Sequence, residues 1–189
     1  MTGFTMQRIR SPLDWLRVRR LYRRAFPRCE RKPFGIIRRM HRAGKTDVWV
    51  FRQNGRFAGL AATINSDALI LIDYLAVSEN LRGQGVGTRA LAALTEAYPG
   101  RGLFVEIESP FAPGDDQPQR QRRRSFYEGC GFLPSRTMAS VFGVAMELLC
   151  CRCQVDFDTY HRFYCTQYSA WAGDHILPLP HPEAPQAAE

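Results

Sequence analysis

Apolar residues at Trp15, Val18, Leu21, Tyr22 and Ala25 recur at helical spacing, with arginines filling the positions between them. Ser11-Pro12-Leu13-Asp14 supplies the start of that helix: a hydroxyl cap, a proline at the first helical position and an acid in the first turn. Pro27 ends it, and a second helical stretch, about Phe34 to Arg42, closes at Gly44. Strands follow at Asp47–Gln53 and Arg56–Asn65, and the Asn54-Gly55 between them is a hairpin signal. Ala68–Val77 is almost unbroken in apolar residues, as a central strand buried on both faces would be. Gly87–Tyr98 returns to helical spacing through Ala90, Leu91, Leu94 and Ala97, Pro99-Gly100 stops it, and Leu103–Glu108 reads as strand. Ala68–Glu108 therefore has the pattern of a strand–helix–strand crossover, which should be parallel and right-handed.

Beyond it, Ser109–Gln119 reads as a polar loop, Arg120–Glu128 as a helix ended by Gly129 and Gly131, and Val141–Leu149 as a strand. Phe157, Tyr160, Tyr164, Tyr168 and Trp171 share one face of an expected C-terminal helix. From Gly173 the chain is proline-rich. The expected architecture is mixed α/β, an antiparallel meander feeding a parallel crossover with helices on both faces. It forms a single domain over residues 1–172, followed by a disordered tail at 173–189.

Composition narrows the class. With 189 residues, 45% of them hydrophobic and 23% charged, the chain can bury a full core and is neither a disordered nor a fibrous sequence. No apolar run approaches the ~20 residues of a membrane helix, and Met1–Arg10 has no apolar signal core. The expected location is cytoplasmic. Net charge is +8, and only Lys32 and Lys45 of the 26 basic residues are not arginine. That field favours phosphorylated small molecules or polyanions. The arginines nevertheless scatter over separate stretches (Arg17–Arg24, Arg38–Arg42, Arg120–Arg124) with no interleaved reading motif, so nucleic acid is not the expected partner. Six cysteines read as thiols. Cys150-x-x-Cys153 with His161 and Cys165 matches no common zinc spacing, so no metal is expected.

The segment Arg82-Gly83-Gln84-Gly85-Val86-Gly87-Thr88 lies between the apolar strand and a helix. Glycines there let the backbone turn tightly, and the free N–H groups of a helix start favour an anion. No Gly-Lys-Ser/Thr follows, and the spacing is G-x-G-x-G rather than the dinucleotide G-x-G-x-x-G, so neither a Walker loop nor a dinucleotide fold is indicated.

Arg82-x-x-Gly85-x-Gly87 after Tyr74-Leu75-Ala76-Val77 resembles the acyl-CoA pyrophosphate loop of the GNAT N-acetyltransferase superfamily. Phe126-Tyr127-Glu128-Gly129-Cys130-Gly131-Phe132 is similar to a second signature of that family. The resemblance spans roughly Asp47 to Leu149. Ala25-Phe26-Pro27 and Glu30-Arg31-x-Pro33-Phe34 also resemble the front end of some bacterial members. It implies a transfer of acetyl from acetyl-CoA to a primary amine. The backbone of Leu75, Ala76 and Val77 would pair with the pantetheine arm, and the amides from Gly83 to Thr88 would hold the pyrophosphate. It also implies that Tyr127 meets the departing thiolate. Because tyrosine's reference pKa is about 10 and a thiol's about 8.5, full proton transfer is uphill by roughly 2 kcal/mol, and the expected role is hydrogen-bond donation. One position departs from the pattern: Arg120 stands seven residues before Tyr127, where the family often has asparagine.

Strand alternation places Glu106 and Glu108 on one face at the carboxyl end of the crossover's second strand, about 7 Å apart. Either could take the amine's proton, and Glu106 is favoured because it lies deeper; Asp73 is a third candidate. The competing account of the carboxylates is structural, each neutralised by an arginine. At the level of the whole protein the alternative is an acyl-CoA-binding module of the same fold that does not turn over. The acceptor amine and the oligomeric state, a homodimer included, stay open.

Overall fold

The computed structural model describes residues 3–114 and 116–182. They gather into two compact units, one of residues up to Asn65 with Ile72–Pro99, the other of Ser66–Leu71 with the residues from Gly100 onward.

The first unit holds strands β1 (Phe4–Arg8), β2 (Thr46–Gln53), β3 (Arg56–Asn65) and most of β4 (Leu69–Val77), hydrogen-bonded in that order. β1 and β3 both run antiparallel to β2. The hairpin between β2 and β3 turns on Asn54 and Gly55 at φ 51° and 76°, the primed geometry that matches strand twist. Helices α1 (Pro12–Ala25) and α2 (Phe34–Arg42) cover one face. Val18, Tyr22, Ile37, Val48, Val50, Leu60, Tyr74 and Ala76 form the core beneath them. The alternate residues of β2 serve the core elsewhere: Trp49 packs edge-on against Tyr98, at the end of α3 (Val86–Ala97), with centroids 5.9 Å apart. Trp49 Nε1–H donates to the Tyr98 hydroxyl (3.0 Å), and that hydroxyl donates to Asp47 Oδ2 (2.9 Å). α3 is thus tied to β2 by a fully partnered buried network. At Gly59 a Cβ would run into the carbonyl oxygen of Ala76 and, at 2.9 Å, the ring of Phe51, so only glycine allows the close passage of β3 beside β4.

In the second unit, Leu69, Ile70 and Leu71 of β4 pair in parallel with Gly102, Leu103 and Phe104 of β5 (Gly102–Glu108). β7 (Val144–Cys151) is antiparallel to β5. β6 (Leu133–Val141) is antiparallel to β7, and β8 (Ile176–Leu179) closes the order antiparallel to β6. α4 (Gln117–Glu128) precedes β6, and α5 (Phe157–Gln167) packs on β5 through Phe104 against Tyr160 and Phe163. The mixed α/β class, with its antiparallel meander and parallel crossover, is the one read from the sequence.

Four details differ from that reading. β1 is a strand where none was expected. The single strand near Val141–Leu149 is a hairpin of β6 and β7, turning on Phe142 and Gly143 at φ 49° and 85°. The C-terminal helix ends at Tyr168, and Ser169 caps a separate turn, α6 (Ala170–Gly173); Trp171 therefore leaves the aromatic face and stands largely exposed. The stretch from Gly173, expected to fray, carries β8 on the edge of β6, and residues 183–189 of the expected tail lie outside the described residues.

Candidate functional site

The glycine loop and the strand before it belong to the first unit. The parallel ladder of β4 comprises three pairs and ends at Leu71, so Ile72–Val77 run on past it. Along this stretch Tyr74 and Ala76 are buried, while Asp73, Leu75 and Val77 are half-buried. Ser78 N–H then bonds to Ala58 O (2.9 Å) and a 3₁₀ turn at Glu79–Leu81 leads into the loop. Gly83 and Gly85 both take φ above +70°, the left-handed region where a side chain costs energy. Gly85 is the N-cap of α3, with no side-chain cap. The first helical bond is Arg89 N–H to Gly85 O (3.1 Å), which leaves the N–H groups of Gly85, Val86, Gly87 and Thr88 outside the helix ladder. Arg82 to Gly85 are exposed. Gln84 is fixed from both sides: its Nε2 donates to Asn80 O (2.9 Å), and Arg89 Nη2 donates to its carbonyl (3.0 Å). A rigid turn presenting a fan of amides at the positive end of a helix is built to take an anion.

Asp73 is occupied: Lys32 Nζ lies 2.6 Å from its Oδ1. Beside it the Tyr74 hydroxyl accepts from Lys32 N–H (3.2 Å) and donates to Glu30 O (2.9 Å), and Tyr22 donates to Lys32 O (3.0 Å). Burial pushes Tyr22 up to about 12; burial, with the Asp73 charge behind it, raises Tyr74 well above the usual phenol range. These groups secure the chain between α1 and α2.

The remaining candidates lie in the second unit. Tyr127 sits in the last turn of α4, its ring wedged between Phe126 (5.2 Å) and Phe132 (5.8 Å). Among the described residues its hydroxyl has no hydrogen-bond partner. Burial pushes the phenol up to about 12, with the Arg123 charge opposing. Proton release to a thiolate would then be uphill by roughly 5 kcal/mol, so the hydroxyl can donate a hydrogen bond and is a poor acid.

Glu106 and Glu108 do share a face of β5, but their surroundings differ. Arg120 Nε lies 3.1 Å from Glu108 Oε2, and its Nη2 lies 2.9 Å from Asp116 Oδ1. Glu108 thus has the arginine partner of the structural account, supplied by the residue that departs from the family pattern. Glu106 meets hydroxyls instead. Tyr164 donates to its Oε2 at 3.0 Å, and Tyr160, fully buried, has its phenol raised well above 10 by burial and by the charge of Glu106 beside it. These tyrosines are what the sequence reading missed as site residues. Their spacing of four placed them together on one helix face, but nothing local said that this face would cover Glu106.

Cys165 Sγ is 3.9 Å from His161 Nδ1, the free thiols of Cys150 and Cys153 hydrogen-bond to each other, and no group of three metal-capable side chains occurs among the described residues. No helix among them is long and apolar enough to cross a membrane.

A parallel strand–helix–strand crossover whose helix starts on the left-handed Gly85, followed by a helix with Phe126 and Tyr127 in its last turn, sets out both motifs in the order read from the sequence. Residues 15–132 match the family model of the acetyltransferase (GNAT) family, and the chain belongs to that family. Solved structures carry the same fold. An acetyltransferase of the GNAT family from Bacteroides thetaiotaomicron aligns over 88% of this chain and 99% of its own at 20% identity and TM-score 0.74. The ribosomal-protein-S18-alanine N-acetyltransferase of Escherichia coli aligns over 81% of this chain and 96% of its own at 16% identity and TM-score 0.61. An aminoglycoside 6'-N-acetyltransferase complexed with coenzyme A aligns over 77% and 95% at 12% identity and TM-score 0.63. No curated protein matches the sequence.

Proposed function

We propose that the protein is an N-acetyltransferase that moves the acetyl group of acetyl-CoA to a primary amine. The observation that carries this reading is the Gly83–Thr88 turn, a left-handed N-cap followed by amides outside the helix ladder, one 3₁₀ turn beyond six β4 residues that outrun their parallel ladder. The turn suits a pyrophosphate, and the backbone of Leu75, Ala76 and Val77 suits an extended arm that adds to a strand. The coenzyme A complex of a structural neighbour supports the choice of donor.

In the reaction the amine must first be neutral. Glu106 is assigned the proton of the ammonium, with Tyr164 holding one carboxylate oxygen in place. The nitrogen lone pair then forms a bond to the thioester carbon, and the carbon–sulfur bond breaks as the tetrahedral intermediate collapses. Tyr127 donates a hydrogen bond to the leaving thiolate, which takes the nitrogen's second proton through solvent, and Glu106 releases the first to solvent. Glu108, held by Arg120, is assigned a positioning part. The donor is soluble, and we place the reaction in the cytoplasm.

The test is thiol release from acetyl-CoA in the presence of polyamines, aminoglycosides and N-terminal peptides, those classes being what structural neighbours of this fold are named for. Amine-dependent release establishes the transferase. Tight acetyl-CoA binding without release on any amine favours the non-catalytic acyl-CoA module, for which the locked Glu108–Arg120 pair is the supporting observation.

A further inference from the structure

Three features of the structure fall outside the transfer chemistry: the buried Glu147 with Arg124 and His181, the Cys150–Cys153 thiols, and a cavity of about 330 Å³ in the first unit. The cavity goes furthest. Arg17, Arg20 and Arg24 enter it from α1, and Arg82 enters from the loop before α3. Residues 17, 20 and 24 are spaced three and four apart and so project from one side of the helix. Leu21, Ala25 and Phe57 give it an apolar wall.

The charges are not balanced within the cavity. Glu79 pairs with Arg24 at 3.2 Å, with both side chains more than 60% exposed. Asp14 reaches Arg17 only at 3.5 Å and is itself held by Arg52 at 2.8 Å. Among the described residues, the side chains of Arg20 and Arg82 have neither an ion pair nor a hydrogen bond. Guanidinium stays protonated at any physiological pH, so this convergence is a permanent local excess of positive charge with apolar surface beside it.

We propose that Arg17, Arg20, Arg24 and Arg82 form a binding pocket for a phosphate monoester, separate from the amide fan at Gly85–Thr88. Guanidinium groups arriving from a helix face and from a loop surround an anion from two directions. A phosphate monoester dianion carries three terminal oxygens in a tetrahedral array, one more than a carboxylate, and can meet guanidinium groups from both directions at once. The volume is that of a small-molecule site, and a nucleic acid strand would need an extended track instead. The phosphate has two sources: the 3'-phosphate of coenzyme A bound at the neighbouring loop, which rests on the proposed function, or a separate phosphorylated small molecule, which does not.

The experiment compares the wild-type protein with the double variant Arg20→Ala/Arg24→Ala, which leaves the glycine loop intact; its own melting curve verifies folding. Coenzyme A and 3'-dephospho-coenzyme A are titrated into both proteins, and inorganic phosphate is added to each protein alone and with each saturating nucleotide. If the pocket holds the cofactor's own phosphate, wild type binds coenzyme A about tenfold tighter than the dephospho form, and the double variant loses that preference. Of the two wild-type complexes, inorganic phosphate then stabilises only the dephospho one. If the ligand is separate, the two nucleotides bind alike and inorganic phosphate raises the melting temperature of both wild-type complexes and neither variant complex. Identical behaviour of wild type and variant toward all three probes overturns the pocket. Should wild type bind neither nucleotide, the acyl-CoA reading fails by itself, and the pocket stands or falls on inorganic phosphate alone stabilising wild type and not the variant.

Discussion

Tyr127 and Glu106 are asked to do different work, and their environments say how each would fail. Tyr127 has a hydroxyl without a partner among the described residues and a phenol pushed up to about 12 by burial. Tyr127→Phe keeps the packing against Phe126 and Phe132 and removes only the donor. It should lower kcat about 10²-fold, the lower end for a positioned proton donor, with acetyl-CoA affinity unchanged by calorimetry. Wild-type kcat in that variant would make the residue structural. Glu106→Gln keeps the side-chain volume and an acceptor for the Tyr164 hydroxyl while removing the base. The expected result is loss of the acidic limb from the pH profile of kcat/KM, because that limb reports protonation of the group that receives the amine's proton. Retention of the limb transfers the base to another group. Both residues were legible in the sequence, Tyr127 from its motif and Glu106 from alternation. Depth in the strand already favoured Glu106, but the arginine that ties up Glu108 was not legible, because it depends on Arg120 folding back eleven positions to Ser109 and twelve to Glu108.

At the scale of elements, α3 and α5 each depend on how they begin. α3 starts on Gly85 at φ +71°, where an added Cβ would also lie 3.2 Å from Arg89 Nη1. Gly85→Val should drive the turn out of the left-handed region, re-aim the amide fan and abolish the thermal shift that acetyl-CoA gives the wild type. A folded variant with an unchanged shift would remove the loop from the cofactor site. α5 starts on Asp156, whose carboxylate accepts from Thr159 N–H at 2.8 Å; the Thr159 hydroxyl first, and that N–H second, hold its pKa below the usual carboxylate range. Because the folded value is depressed, the stabilisation is complete above the unfolded pKa of about 3.9 and is lost as pH falls through the lower folded value. Asp156→Ala should therefore melt a few degrees below wild type at pH 7, with the gap closing in acid. The elements that escaped the sequence reading share a cause. β8, the edge strand, is Ile-Leu-Pro-Leu, and β6 carries Pro134, Arg136 at φ 61° and a register shift in its first half, the part that β8 does not pair; an unpaired strand side tolerates these and a pattern search rejects them. The Phe142-Gly143 turn lacks the asparagine that made Asn54-Gly55 readable.

At the scale of the whole molecule, the two compact units are not two stretches of chain. The polypeptide crosses between them after Asn65, after Leu71 and after Pro99, and β4 is divided, three residues to one unit and six to the other. A cut at Pro99-Gly100 therefore produces fragments that are each incomplete. The carboxyl-terminal piece lacks Leu69–Leu71, so Gly102–Phe104 of β5 would expose unpaired backbone as a new sheet edge, a template for self-association. Expressed alone, that piece should aggregate. Co-expressed with residues 1–99 it should become soluble, and a peptide confined to the first unit's own residues 72–99 should not rescue it. Those three hydrogen-bonded positions would make the protein divisible into complementing halves, with recovered solubility reporting that the halves have met.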